Sequence, residues 1–199
     1  MVGALSACGG TGGASNADSV TLYSADGLGD WYKEQFQAFE EQTGISVEYV
    51  EGGSGEVVSR AEKEKSNPQV DVLVTLPPFI QQADKQGTLG TTKIADDAVI
   101  PAADKAANGH YVTLANNYFT MIRGTAVEPK AQSWDDLLDP RFRQKLQYST
   151  PGQAGDGTAL LLLLRHVMGE QQALDYLGKL QANNVGPSAS TGKLGPKVS

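Results

Sequence analysis

The fold is decided by SVTLYS at residues 19–24, an apolar and β-branched run that leads into the glycine loop ADGLG at residues 25–29. The run predicts a buried strand, and the aromatic side chains that follow the loop at helical spacing predict a helix that ends at Gly44. The same order of strand, short loop and helix recurs over residues 45–65 and over residues 70–86. Because strands alternate with helices, the sequence predicts a parallel sheet covered by helices, which is an α/β fold.

The remainder of the chain is less regular but still contains candidate elements. Residues 87–109 have weak periodicity and predict short loops and turns. The later candidates are strands at residues 110–115, 118–123 and 146–149 and helices at residues 134–138, 159–168 and 171–182. The leucine-rich helix among them is predicted to be buried, because ALLLLL at residues 159–164 is too short to span a membrane.

A second glycine-rich loop, STPGQAGDGT at residues 149–158, precedes the leucine-rich helix. The first N–H groups of a helix have no partner within it, and the helix dipole adds partial positive charge, so such a loop favours a phosphate, phosphonate or carboxylate. The alternative is a helix start that is capped by Asp156 or Thr158 and binds no ligand.

Three strand–loop–helix turns of this kind are present in the sequence. Ligands of open α/β sheets bind beyond the carboxyl ends of the strands, where such loops gather. Ser24, Ser54 and Thr158 each offer a hydroxyl group, and Thr75 occupies the equivalent place after the third strand. Together the loops favour a binding site for a small anion that is held by backbone geometry.

The composition excludes several classes of function. The chain has 199 residues, a net charge of −7 and a pI near 4.8, and it offers no basic patch for a nucleic acid. GGSG at residues 52–55 lacks the lysine of a P-loop, and no G-x-G-x-x-G follows the first strand, so no cofactor is predicted. His and Cys residues are not clustered, so no metal site is predicted.

Catalytic constellations are also missing from the sequence. His110 and His166 are the only histidines, and both are expected to have structural or surface roles. Asp71 and the pair Asp135-Asp136 are predicted to be turn or cap residues. With no base–nucleophile pair, no catalytic residue is assigned, and a phosphoryl-transfer or hydrolytic enzyme is the disfavoured alternative.

The N-terminus contains the single cysteine. LSACGG at residues 5–10 resembles a bacterial lipobox, and residues 9–19 have the composition of a flexible tether. Residues 1–19 are therefore predicted to be a truncated lipoprotein leader with its tether, in which Cys8 is lipidated. The alternative is that Cys8 is a free thiol in a disordered N-terminal segment.

Four stretches resemble the extracellular solute-binding proteins of ABC importers, of the iron-, thiamine- and phosphonate-binding type. They are VTLYSADGLG at residues 20–29, GSGE at 53–56, LVTLPP at 73–78 and SWDDLLDPRF at 133–142. Residues 149–158 together with NNVGPSASTGK at 183–193 are most similar to the 2-aminoethylphosphonate-binding branch. This resemblance extends over nearly all of the chain from Val20 onward.

The resemblance implies a class II periplasmic-binding fold, with two lobes, a hinge and a ligand in the cleft between them. Lobe I would comprise residues 20–115, and residues 116–199 would form an incomplete lobe II. The implied ligand contacts are Ser24, Ala25, Asp26, Ser54, Thr75, Asn117, Asp156, Gly157, Thr158 and Ser188. Hydroxyl and N–H groups would hold the phosphonate, and Asp26 or Asp156 would pair with the ammonium. The alternative role of either aspartate is helix capping. On this reading Thr158→Val weakens anion binding without unfolding the protein.

The resemblance also implies a biological setting. The protein would be a monomeric receptor, periplasmic or on the outer face of the membrane, that delivers 2-aminoethylphosphonate to an ABC transporter permease. A ferric ion with a synergistic anion, thiamine or another small anion is the alternative ligand.

Overall fold

The predicted parallel sheet is present at the start of the chain. The structure is a computed structural model that describes residues 18–91, 93–94 and 97–198. The strands are β1 (Ser19–Ala25), β2 (Ser46–Gly52) and β3 (Val72–Val74), and they pair in parallel in the order β2-β1-β3. With β1 central, the loops that follow all three strands emerge at one edge of the sheet.

A helix follows each strand. These helices are α1 (Gly29–Thr43), α2 (Ser54–Lys63) and α3 (Phe79–Lys85). As predicted, α1 ends at Gly44, whose φ of 72° is left-handed and whose N–H donates to the Glu40 carbonyl at 2.8 Å. The alternation of strand and helix read from the sequence is therefore confirmed for this part of the chain.

The two faces of the sheet are packed differently. On one face, α2 and α3 meet through buried Val58, Phe79 and Ala83. On the α1 face, the ring of Tyr32 stacks on Phe36 with centroids 5.0 Å apart and lies 5.4 Å from the ring of Tyr49. The apolar side chains of β1 and its helices thus form a core directly beneath the loops.

A second apolar cluster holds the later helices together. These are α4 (Gly155–Met168) and α5 (Glu170–Leu180), which pack on a 3₁₀ turn at Asp135–Leu138. The buried members of the cluster are Leu137, Leu160, Leu164, Ala173, Tyr176 and Leu180. The leucine-rich helix is buried along one face only, because Leu162 on the same helix is exposed. No helix in the described ranges combines the length and apolarity that crossing a membrane requires.

The strands predicted at residues 110–115, 118–123 and 146–149 are wrong. Only isolated bridges occur there, Lys105 with Val112 and Leu146 with Asn184. A strand requires a neighbour for its N–H and C=O groups; Thr113 N–H donates to Asp104 O at 2.8 Å, but among the described residues 114–123 pair with no other strand. Apolar and aromatic composition predicted these strands but cannot supply a pairing partner. The predicted helix at residues 134–138 is a 3₁₀ turn, and the described residues between 87 and 109 form loops and short turns as expected.

Candidate functional site

Four segments meet at the edge of the sheet where the strands end. They are residues 26–28 after β1, 52–55 where β2 passes into α2, 149–158 with the first turn of α4, and the turn at 188–192, and together we call them the loop junction. Backbone hydrogen bonds cross between them: Gly55 N–H donates to Gln153 O at 2.9 Å and Thr150 N–H donates to Ser188 O at 2.7 Å. The convergence of glycine-rich loops predicted from the sequence is therefore present in the structure.

Glycine is required at the loop junction because backbones touch there. A Cβ on Gly53 would collide with the carbonyl oxygen of Ala189 and lie 2.8 Å from that of Gln153. A Cβ on Gly192 would lie 2.9 Å from the Cα of Gly27. Real Cβ atoms do not come this close to backbone, so the loops can approach only where the side chain is absent.

The carboxylate of Asp26 is held by the 188–192 turn. It accepts hydrogen bonds from the Ser190 hydroxyl, from Thr191 N–H at 3.3 Å and from Gly192 N–H at 2.8 Å. The alternative that Asp26 caps α1 is wrong, because the residue before that helix is Leu28 and no side chain bonds to the helix start. Its carboxylate faces the loop junction instead.

Asp156 is the counterpart on α4. Its carboxylate accepts from both the N–H (3.2 Å) and the hydroxyl of Ser149, and from the Thr191 hydroxyl at 2.5 Å. The prediction that Asp156 or Thr158 is the N-cap is wrong, because α4 begins after Ala154 and has no side-chain cap. Both residues lie inside the first turn, where neither side chain accepts an N–H of the helix itself.

Oxygen atoms of the chain itself accept the first N–H groups of α4. Asp156 N–H donates to the Thr191 hydroxyl at 3.3 Å, and Gly157 N–H donates to the Ser149 hydroxyl at 2.9 Å. The Thr158 hydroxyl donates to Ala154 O at 2.8 Å and accepts Gly152 N–H at 2.9 Å. The N–H groups at the helix end that the sequence marks as an anion cradle are thus bonded to hydroxyl oxygens of the chain itself.

Other predicted hydroxyl contacts bond to backbone. The Ser24 side chain is fully buried, donates to Ala25 O at 2.9 Å and lies 3.5 Å from the Tyr32 hydroxyl. The Thr75 hydroxyl donates to the carbonyl of buried Ser54 at 2.9 Å. These groups support the strand ends from which the loops leave.

The remaining predicted contacts divide between the junction and a separate segment. Ser188 begins the 188–192 turn, and its hydroxyl donates to Ser190 O at 2.9 Å. Asn117 is exposed on the segment after residue 112, and in the described part of the chain no hydrogen bond joins it to the loop junction. Cys8, the predicted lipidation site, lies outside the described residues.

Sequence reasoning did not single out Ser149, Ser190, Thr191 and Gly192. All four lie in the motifs at residues 149–158 and 183–193, so the signal was present, but these positions were not selected as contacts. A cleft of about 430 Å³ adjoins the loop junction. Its lining residues are Gly55, Glu56, Ser59, Gly152, Gln153 and Ala189.

The two histidines and Asp136 lie outside the loop junction. His110 Nδ1 lies 2.6 Å from Asp84 Oδ1, a contact that lowers the pKa of Asp84, and His166 is exposed. Asp136 accepts from Gln132 N–H at 2.7 Å and from Ser133 N–H, bonds that lower its pKa and hold the turn before the 3₁₀ helix; it does not cap that helix, whose N-cap is Trp134. Within the described ranges no group of three His, Cys, Asp or Glu residues could hold a metal ion.

Comparison with known proteins places these features in a family context. Residues 20–194 match the profile of a family described as "Bacterial extracellular solute-binding protein". Over 181 residues the chain is 54% identical to a Salmonella typhimurium (strain LT2) protein named "Putative 2-aminoethylphosphonate-binding periplasmic protein". That alignment covers 88% of this chain and 52% of the relative, so the chain spans about half the length of the curated relatives it matches.

Solved structures share the fold. The periplasmic binding protein P5PA superposes with a TM-score of 0.70 at 26% identity, over 86% of this chain and 58% of that protein. AfuA from Actinobacillus pleuropneumoniae, a periplasmic binding protein solved with fructose-6-phosphate, gives 0.68 at 19% identity, over 87% and 58%. These likenesses confirm the predicted fold class, the α/β two-lobe type of periplasmic binding protein.

Proposed function

Because the chain belongs to the bacterial extracellular solute-binding protein family, we propose that it is part of an ABC-importer receptor that captures 2-aminoethylphosphonate at the loop junction. The relative named for this ligand supports the choice of solute. In this proposal the protein binds the solute and passes it to a permease, with no chemical turnover and no cofactor.

One observation carries the proposal: two carboxylates and the start of a helix lie side by side at the loop junction. Asp26 and Asp156 both contact Thr191, and the first N–H groups of α4 adjoin them. A carboxylate favours an ammonium group, whereas a helix N-terminus favours an anion. The pairing suits a small zwitterion with a cation at one end and an anion at the other.

The roles of the residues follow from this polarity. The phosphonate oxygens would take hydrogen bonds from the first turn of α4, where Gly157 N–H would exchange its bond to Ser149 and the Thr158 hydroxyl its bond to Ala154 O. The ammonium would pair with Asp26 or Asp156. The other proposed contacts or supports are Ser24, Ala25, Ser54, Thr75, Asn117 and Ser188. The buried hydroxyls among them would act by fixing the loops, since they already donate to backbone carbonyls.

The proposed receptor has two lobes that close on the ligand. Residues 20–115 would belong to lobe I and residues 116–199 to lobe II, so Asp26 and Asp156 would approach the ligand from opposite sides. We also propose a monomer in the periplasm or on the outer face of the membrane, held there by a lipid on Cys8. The periplasmic names of the relatives support this location.

Calorimetric titration of the full-length protein tests the ligand. The injected compounds are 2-aminoethylphosphonate, inorganic phosphate, thiamine and ferric citrate. We expect saturable 1:1 binding of the aminophosphonate and much weaker binding of phosphate. Absence of heat with the aminophosphonate, together with binding of ferric citrate or thiamine, would overturn the proposal in favour of that ligand.

A separate incubation tests the absence of turnover. The protein is held with 2-aminoethylphosphonate for hours, and the phosphorus NMR spectrum of the ligand is recorded. We expect the aminophosphonate signal to persist unchanged. Its replacement by inorganic phosphate, catalysed by this protein, would indicate a hydrolytic enzyme.

A further inference from the structure

Thr191 contacts both carboxylates of the loop junction. Its backbone N–H donates to Asp26 Oδ1 at 3.3 Å, and its hydroxyl donates to Asp156 Oδ1 at 2.5 Å. Its neighbours Ser190 and Gly192 also donate to Asp26. The 188–192 turn therefore supplies both carboxylates with the hydrogen-bond donors that a bound ammonium group would otherwise provide.

The same threonine also occupies the anion side of the junction. Its hydroxyl oxygen accepts the N–H of Asp156 at 3.3 Å, in the first turn of α4. One residue thus faces the carboxylates as a donor and the helix N-terminus as an acceptor. A zwitterionic ligand would have to make the same two kinds of contact.

The turn is held firmly in this place by its own contacts. Ser188 O accepts the N–H of Thr150 at 2.7 Å, and the Ser188 hydroxyl donates to Ser190 O at 2.9 Å. Gly192 packs backbone to backbone against Gly27. A ligand that takes the donors and acceptors of Thr191 must therefore displace an ordered turn.

We propose that Thr191 is an internal competitor of the ligand, an inference that rests on the proposed function of the loop junction. The ammonium replaces the donors of the turn on Asp26 and Asp156, and a phosphonate oxygen replaces the Thr191 hydroxyl at Asp156 N–H. Binding proceeds by exchange of hydrogen bonds, so Thr191 lowers the affinity and speeds release. Fast release favours a receptor that must hand its solute to a second protein.

The proposal predicts the direction in which a substitution of Thr191 changes ligand affinity. If Thr191 bound the ligand, removal of its hydroxyl would weaken binding. If Thr191 competes with the ligand, removal of the hydroxyl tightens binding, because that contact no longer has to be broken. The net contribution of one hydrogen bond, after exchange with water, corresponds to a change of about threefold to tenfold in affinity.

The test uses Thr191→Val in the full-length protein and measures dissociation constants by calorimetry. The two ligands are 2-aminoethylphosphonate and ethylphosphonate, which lacks the ammonium group. We expect both to bind about threefold to tenfold more tightly than to the wild type, because either ligand must displace the hydroxyl. Thr191→Ser restores the hydroxyl and should bring the affinity back toward the wild-type value.

Two further measurements separate competition from a purely structural role. The melting temperature of ligand-free Thr191→Val should fall, although its affinity for the phosphonates rises. A purely structural role would lower the melting temperature without tightening phosphonate binding. Thr43→Val makes the same chemical change at the end of α1, where the hydroxyl donates to Phe39 O, and should leave affinity unchanged. If Thr191→Val does not fold, Ser190→Ala removes a donor to Asp26 and should also tighten binding.

The outcomes distinguish the two proposals. Unchanged or weaker binding by Thr191→Val, or by Ser190→Ala in its place, overturns the competition and leaves the proposed function standing. A wild-type protein that binds neither phosphonate overturns the proposed function, and this inference falls with it.

Discussion

The backbone N–H of Gly192 donates a 2.8 Å hydrogen bond to the carboxylate of Asp26, across 166 positions of the sequence. The bond joins the loop after β1 to the 188–192 turn, and the close approach of Gly192 to Gly27 leaves no room for a side chain. Backbone groups with little freedom therefore fix this carboxylate. Such a group is ordered before a ligand arrives, which lowers the entropic cost of binding.

Asp26→Asn is expected to weaken binding of 2-aminoethylphosphonate by tenfold or more. The amide has no charge for the ammonium, and its NH₂ group opposes the N–H donors of Thr191 and Gly192. Calorimetry on the full-length protein measures the loss. Asp30→Asn removes the same charge from an exposed site in the first turn of α1 and should change affinity less than twofold. Equal losses in both variants would indicate a general effect of net charge.

Gly157→Ala is expected to destabilise the protein by about 2 kcal/mol or more. A Cβ at this position would collide with the carbonyl of Ser149, so α4 could not start where it does. Gly178→Ala is the matched control, because Gly178 is exposed on α5 with nothing within 4 Å of its would-be Cβ. There alanine should stabilise the helix by about 0.5–1 kcal/mol. Urea unfolding of both variants measures the difference, and equal effects would contradict the packing argument.

Local patterns predicted the first part of the fold well. SVTLYS followed by ADGLG gave β1 and its loop, and Gly44 ended α1 as expected, because strand periodicity and a left-handed cap are properties of a few neighbouring residues. The strands predicted at residues 110–115 and 118–123 failed, because a strand also depends on a partner that is distant in sequence. The exposed Tyr118 and Ile122 lie in that unpaired segment.

The candidate site was predicted to the level of loops but not of atoms. The glycine-rich loops were expected to converge, and they do. The roles of Asp26 and Asp156 depend on hydroxyl and N–H donors from the 188–192 turn, more than thirty residues away in the nearer case. Helix capping was therefore the natural local alternative, and only tertiary contact reveals the different role.

Thr158→Val is expected to weaken phosphonate binding and also to lower stability by about 1–2 kcal/mol. This revises the expectation from the sequence that folding would be unaffected, because the buried hydroxyl accepts Gly152 N–H and donates to Ala154 O. Thr158→Ser keeps both hydrogen bonds and should preserve most of the stability. Chemical denaturation and calorimetry measure the two effects, and a valine variant as stable as the wild type would contradict the assigned bonds.

Tyr49→Phe is expected to reduce the loss of stability at alkaline pH. Burial, with the negative charge of Glu51 adding to it, raises the pKa of Tyr49 to about 12. Between pH 10 and 12 the unfolded chain releases the phenolic proton while the folded chain retains it, so the free energy of unfolding falls as the pH rises. Phenylalanine cannot ionise, so the variant should lose less stability between pH 8 and pH 10.5 than the wild type.

At pH 8 the same measurement separates the contributions of Tyr49 and Tyr176 to stability. The Tyr49 hydroxyl is buried beside Glu51 and Ser24 but makes no hydrogen bond of good geometry in the described part of the chain, so Tyr49→Phe should be close to neutral there. The Tyr176 hydroxyl donates to Trp134 O at 2.6 Å, and its pKa is also raised to about 12, mainly by burial. Tyr176→Phe should therefore lose about 1 kcal/mol at pH 8 and, like Tyr49→Phe, show a weaker alkaline decline.

Tyr118→Phe is the control, because this side chain is 88% exposed and its substitution should not change the alkaline decline in stability. Urea unfolding at pH 8 and pH 10.5 measures all three variants. An alkaline decline that persists undiminished in Tyr49→Phe would show that Tyr49 does not contribute to it.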